Sequence, residues 1–416
     1  MIVLIDFDGV IIDTKKNSFD VFSNCIKNTQ NYNNPKVIRS LYNKVNGLDL
    51  ISISKFLGKY FKKNYSQFYK FLKYEWKKVY KKAKLNDEIN DFIFFLNNID
   101  AKVIIFSSSD FSIIKEKLKD KLNNLEFIKK KFDKRSNLNK ETHLKIKKFQ
   151  KENEYCISID DNKKINNQLS KLGLITVEYE IGKIKKTLVD IFISLLFKNK
   201  IDFFYKLPNN KVSNLSLKNF KQEKINQLTL QSINSKTKFQ NFDNIKMAFL
   251  ESLSFKNKKL QINSFKNYYK LRYSRKFISL AIQGFIQVEQ NKFIIGKRKL
   301  VSFEKNLYEF LPAGGLINLS LNGLFKQVRI ETLEELDIKI EKKNVKLNGF
   351  FIDFEEKIID FIFKIKLNNF KKLKKKMTNS DEHYDILVKD KKFINKNYHK
   401  FTNVSKKMIR VFINAR

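Results

Sequence analysis

The chain has 416 residues, enough for two or three domains with their own cores, and carries 84 Lys+Arg against 43 Asp+Glu for a formal net charge of +41. The excess is lysine spread through every region, with scarce Gly (11) and Pro (3), so it reads as a global bias whose field attracts phosphorylated small molecules; nucleic-acid binding is the alternative that charge alone supports. Cys25 and Cys156 build no disulfide framework, no apolar run spans a bilayer, and a strand from residue 2 leaves no room for a leader, so a cytoplasmic protein without a membrane partner is expected.

Residues 2–5 are continuously apolar, as in a strand covered on both faces. From about 15 to 99 the pattern is helical: Phe68, Leu72, Trp76 and Val79 recur at helix spacing, as do Ile89, Phe92 and Leu96. Apolar runs return at 103–106 and 156–159, each followed by a polar cluster and a helical pattern. This alternation predicts a mostly parallel sheet wrapped by helices, closed by a helix carrying Leu188, Ile191 and Leu195. Residues 200–265 are rich in Lys, Asn and Ser with weak periodicity, and read as a linker or an extension of the C-terminal domain. Within 266–416, strands at 277–288 and 293–296, a Pro-Ala-Gly-Gly loop at 312–315, a helix over 323–336 and a hairpin of 350–354 with 358–367 make an α+β domain.

In the segment VLIDFDGVIID, Asp6 and Asp8 stand two apart just past a buried strand, where ligands bind in open α/β sheets. Such a pair suits phosphoryl transfer: one carboxylate attacks phosphorus, and the other protonates the leaving oxygen and later activates water. Two carboxylates repel a phosphate, so a hard cation is implied, Mg²⁺ with Mn²⁺ as the alternate, and Gly9 gives the chain room to turn beside the substrate. Ser107, Ser108 and Ser109 follow the second strand and could meet an anion, although Ser108 and Ser109 could instead cap the next helix. Lys140 could offset phosphoryl charge, with Lys134 and Lys145 as neighbours of the same type, and Asp160-Asp161 end a third strand.

This ordered set resembles the haloacid dehalogenase superfamily over roughly residues 1–195, within a domain drawn at 1–199. The resemblance implies a Rossmann-like α/β core in which Asp6 is the nucleophile, Asp8 the acid/base, and Ser107 and Lys140 catalytic. It implies metal ligation by Asp6, Asp8, Asp160 and Asp161, with Gly9 and Ser108 binding substrate. The helices of about 15–99 are similar to the cap of the phosphoglycolate phosphatase and β-phosphoglucomutase branch, and Asp8 marks phosphotransfer members rather than dehalogenases.

Glu331, Glu334 and Glu335 are spaced i, i+3, i+4 on one helix face, where a divalent cation would relieve their repulsion; a plain acidic face is the alternative. With Gly314 and Gly315 upstream, the stretch YEFLPAGG–RIETLEELDI resembles a Nudix box over a domain of about 270–400. Ile330 stands where that pattern has arginine, with Arg329 beside it; Leu321 or Asn322 replaces the first glutamate, and Asp337 the final glycine. The resemblance implies metal on Glu331, Glu334 and Glu335, catalysis by Glu334 and Glu335, and substrate at Gly314 and Gly315. Glu382 would be a further ligand or base, or a solvated hairpin-edge acid, and His383 a surface or packing residue. The expectation is a bifunctional Mg²⁺-dependent hydrolase that splits a diphosphate and a phosphomonoester. The alternative is a phosphatase whose C-terminal Nudix fold senses a ligand; a homodimer through that domain is left open.

Overall fold

The computed structural model describes residues 1–46, 48–118, 126–133, 137–179, 181, 186–208, 212–219, 246–268, 277–289, 291–299, 304–317, 319–367 and 383–414. It divides into two compact units, Met1–Ile191 and Phe192–Arg416.

The first unit holds β1 (Ile2–Ile5), α1 (Lys15–Gln30), α2 (Pro35–Val45), α3 (Leu50–Phe61), α4 (Tyr65–Lys82), α5 (Glu88–Asn98), β2 (Lys102–Ser107), α6 (Phe111–Leu118), β3 (Glu126–Lys129), α7 (Lys140–Glu152), β4 (Cys156–Asp160), α8 (Lys163–Lys171) and β5 (Ile175–Glu178). α9 (Leu188–Lys198) crosses the division. The five strands order as β3-β2-β1-β4-β5, and every pair is parallel. All four β1 side chains are at most 2 % exposed, which is why this strand has no polar alternation. Chain order reverses on either side of β1, so the crevice past its carboxyl end, between β1 and β4, is where such a sheet receives ligand.

The helices over 15–98 divide in two. Val21, Phe22, Cys25 and Ile26 of α1, Ile38 and Leu41 of α2, Leu57 of α3 and Phe68 and Leu72 of α4 share a core of their own, whereas α5 packs on β2. Asn34, Asp49 and Asn64 each cap the following helix by accepting from its first-turn backbone N–H groups.

The second unit is built on a mixed sheet. Its strands are β6 (Phe203–Lys206), β7 (Leu215–Asn219), β8 (Lys246–Lys256), β9 (Lys259–Tyr268), β10 (Ser279–Glu289), β11 (Lys292–Arg298), β12 (Tyr308–Phe310), β13 (Ala313–Gly315), β14 (Val345–Asp353), β15 (Ile358–Lys366) and β16 (His383–Asp390). One path runs β6-β14-β15-β10-β8-β9-β7; β11 pairs with β10, β12 and β16, and β13 with β10. Four of these strands lie within 200–268, nearly all of it the stretch 200–265 that reads as a linker or an extension of the C-terminal domain; β6 lies on β14, and β8 joins β10. The long helix, α10 (Leu321–Leu336), starts at Ser320, whose hydroxyl accepts from Gly323 N–H at 2.9 Å.

Candidate active site

β1 delivers Asp6 to the crevice. Its backbone N–H donates to Ile159 O at 2.9 Å, tying it to β4, and its Oδ1 accepts from Phe7 N–H at 2.8 Å. The chain then folds back so that Ile11 and Ile12 N–H both reach Phe7 O. Gly9 makes this turn at φ +83°, and a Cβ there would stand 2.6 Å from Asp161 Cγ. The glycine therefore serves both the left-handed conformation and the close approach of the β4 acids.

Asp6, Asp160 and Asp161 each offer a carboxylate oxygen, all within 4.8 Å of one another. Among the described residues this is the only trio of His, Cys, Asp or Glu so gathered. Asp160 is fully buried, its Oδ1 accepting from Asn162 N–H at 2.8 Å and its backbone carbonyl from the Asn166 amide at 2.9 Å.

Lys130, 4 % exposed and one residue past β3, provides a partial counter-charge: its Nζ lies 2.9 Å from Asp6 Oδ2 and 2.6 Å from Asp160 Oδ2. Its backbone N–H donates to Ser107 O at 2.7 Å, so the end of β2 sets where it sits. Burial by itself pulls the ammonium's pKa down, but the Asp160 and Asp6 carboxylates outweigh it and hold the group charged. Lys140, predicted for this place, is instead an exposed residue at the start of α7. Lys130 lies in the run Lys129-Lys130-Lys131, and no local feature separates it from its neighbours.

Burial drives the Asp6 pKa well above the ordinary carboxylate range; Lys130 opposes this, and Asp160, Asp161 and Asp8 add to it. One lysine does not balance four acids. A hard dication fits that surplus and the all-oxygen donor set.

Asp8 is held by three hydroxyls. Oδ1 accepts from Thr14 at 3.0 Å and Tyr80 at 3.0 Å, and Oδ2 from Ser109 at 2.5 Å. Burial raises its pKa, and the Ser109, Thr14 and Tyr80 hydrogen bonds lower it. Thr14 immediately precedes α1, and Tyr80 belongs to the last turn of α4. Ser107 is 1 % exposed and accepts from Ser109 N–H at 3.1 Å, while Ser108 and Ser109 line the crevice. Tyr80, Thr14 and Lys130 escape a sequence reading because their partners lie on other elements.

In the second unit the three helix glutamates occupy three environments. Glu331 is half-buried and accepts from Gln327 Nε2 at 2.6 Å; Glu334 is exposed; Glu335 is buried and accepts from Ala313 N–H at 3.2 Å. They do not form a trio of the kind Asp6, Asp160 and Asp161 make. A Cβ on Gly314 would stand 2.3 Å from Glu331 Cδ, so the Pro-Ala-Gly-Gly segment lies directly on the acidic face, while a Cβ on Gly315 would stand 3.5 Å from Met247 Cε. Arg329 turns to Ile340 O at 2.9 Å. Glu382 lies outside the described residues. His383, predicted as a surface or packing residue, is 1 % exposed with Nε2 2.8 Å from Glu309 Oε1, and Arg298 reaches the other Glu309 oxygen at 3.3 Å.

Residues 3–130 match the family described as haloacid dehalogenase-like hydrolase. That match and the site's geometry make the first unit a haloacid dehalogenase-like hydrolase domain, an enzyme of the hydrolase class. Among solved structures, the chain is similar to a hydrolase from Pseudomonas syringae (13 % identity, 44 % of this chain and 87 % of that one, TM-score 0.34). It is also similar to a putative β-phosphoglucomutase from Thermotoga maritima (17 %, 44 % and 89 %, TM-score 0.32). A MutT/nudix family protein from Enterococcus faecalis matches at 16 % identity over 27 % of this chain and 43 % of its own length, with TM-score 0.22. No curated protein matches the sequence. No helix among the described residues is long and apolar enough to cross a membrane.

Proposed function

We propose that the first unit is a phosphomonoesterase working through an aspartyl-phosphate on Asp6. The observation that carries this is the meeting of Asp6, Asp160, Asp161 and Lys130 beside Asp8 at the β1 switch point. An Asp6 oxygen attacks phosphorus, the ester P–O bond breaks, and protonated Asp8 gives its proton to the leaving oxygen. Asp8, now a carboxylate, takes a proton from water as that water attacks phosphorus, releasing phosphate and restoring Asp6. Lys130 holds the Asp6 and Asp160 side chains in position through its contacts at 2.9 and 2.6 Å. Asp6, Asp160 and Asp161 would hold Mg²⁺, which when bound offsets negative charge on the phosphoryl oxygens. The test is Mg²⁺-dependent phosphate release from a panel of phosphate esters; D6N at wild-type rate would end this reading.

A second reading concerns the second unit: metal-assisted hydrolysis of a diphosphate at Glu331, Glu334 and Glu335. The close seating of Gly314 on Glu331 and the Ala313–Glu335 hydrogen bond favour it, because they join loop and acidic helix face into one surface. Nucleoside diphosphate-linked compounds should be split by D6N but not by E334Q/E335Q. Binding of such a compound without turnover would leave the unit as a ligand sensor.

A further inference from the structure

Above Asp6 and Asp8 lies a cavity of about 850 Å³, within the range that suits small organic ligands and far more than phosphate itself needs. One wall is a single face of α4, on which Tyr69, Leu72, Trp76 and Tyr80 follow at helical spacing. Tyr80 touches Asp8, the proposed proton donor to the leaving oxygen. Trp76 comes next on that face, its ring stacked on Tyr80 with centroids 5.3 Å apart and planes at 28°. The indole therefore stands one ring from the hydroxyl that holds Asp8.

Elsewhere the lining is mixed, with Asn43, Asp49 and Ser52 among its polar members. There, Ser18 and Tyr42 hydroxyls meet at 2.5 Å, and Tyr42 donates to Asn46 Oδ1 at 3.0 Å, so these polar groups already bond one another. Phe22 and Leu48 add apolar surface to the same cavity. Along α4 the cavity offers aromatic faces and depth, and a planar heterocycle uses both.

Resting on the phosphatase reading above, the geometry points to a nucleoside monophosphate as the substrate: its base stacks on Trp76, and its pentose spans the gap to the phosphate at Asp6. Every base has a π-face, so this stacking selects the class without selecting the base.

Trp76 is the chain's one tryptophan, and its emission reports directly on such a contact. In the D6N protein with Mg²⁺, AMP should quench that emission saturably, whereas inorganic phosphate and glucose phosphate leave it unchanged. In the active enzyme, W76L should raise KM for AMP by about ten- to a hundredfold with a smaller effect on kcat, and W76F should recover most of the loss. Quenching by glucose phosphate as strong as that by AMP, or a W76L enzyme with wild-type KM, overturns the inference. Saturable AMP quenching in a protein that releases phosphate from no ester would keep the stacking site and overturn the phosphatase reading instead.

Discussion

Lys130 Nζ lies 2.9 Å from Asp6 Oδ2, and both side chains are less than a tenth exposed. The same ammonium reaches Asp160 at 2.6 Å, so one cation from the end of β3 holds together acids from β1 and β4. Removing it leaves buried carboxylates without their counter-charge, a change that typically costs about 3–5 kcal/mol. K130M should lower the melting temperature clearly and lose most phosphatase activity. K140M, at an exposed site, should stay within about 0.5 kcal/mol of wild type and keep its activity. Thermal melts and phosphate release on the two variants decide it; equal effects would refute this assignment.

Asp8 is proposed to move protons, not to form the covalent bond. D8N should therefore lower kcat by about 10²–10⁴-fold, the usual worth of general acid–base catalysis, while Asp6 can still be phosphorylated by an ester with a good leaving group. Acid-quench trapping of labelled phosphoenzyme would show it, and D6N should trap none.

Gly9 combines φ +83° with an approach that leaves no room for a methyl group beside Asp161. G9A should push Asp161 away from Asp6 and Asp160 and so weaken cation binding. The measurable result is a higher Mg²⁺ concentration for half-maximal phosphate release. Unchanged Mg²⁺ dependence would place Asp161 outside the cation site.

Burial between α1 and α4 pushes the Cys25 thiol from its ordinary 9.0 up to about 12. The folded state keeps a proton that the unfolded chain releases above pH 9, so this residue's contribution to stability is full below that pH. It falls as pH rises toward 12. At pH 8 iodoacetamide should leave Cys25 unmodified in the native protein and label it in urea. Rapid native labelling would mean that the α1–α4 core opens easily.

Much of the first unit was legible locally. A run of four apolar residues before Asp6-Phe-Asp8-Gly9 marks a buried strand and the turn after it, and the strand ends at Ser107 and Asp160 carry the same mark. The helix predicted over 323–336 starts within two residues of α10, which the structure shows capped by Ser320. Strands within 200–268 were not legible: β6, β7, β8 and β9 are stabilised by partners far along the chain, not by their own pattern.

The sequence by itself determined which carboxylates reach the crevice of the first unit, because strand, turn and glycine are set by neighbouring residues. Only the tertiary structure decided what surrounds them. Lys130 rather than Lys140 meets Asp6, Tyr80 arrives at Asp8 from 72 residues away, and Glu309 joins His383 from 74 residues away. In a chain with 84 basic residues nothing local distinguishes one lysine from another. Their roles are assigned by burial and charge pairing, which exist only once the sheet has brought distant strand ends together.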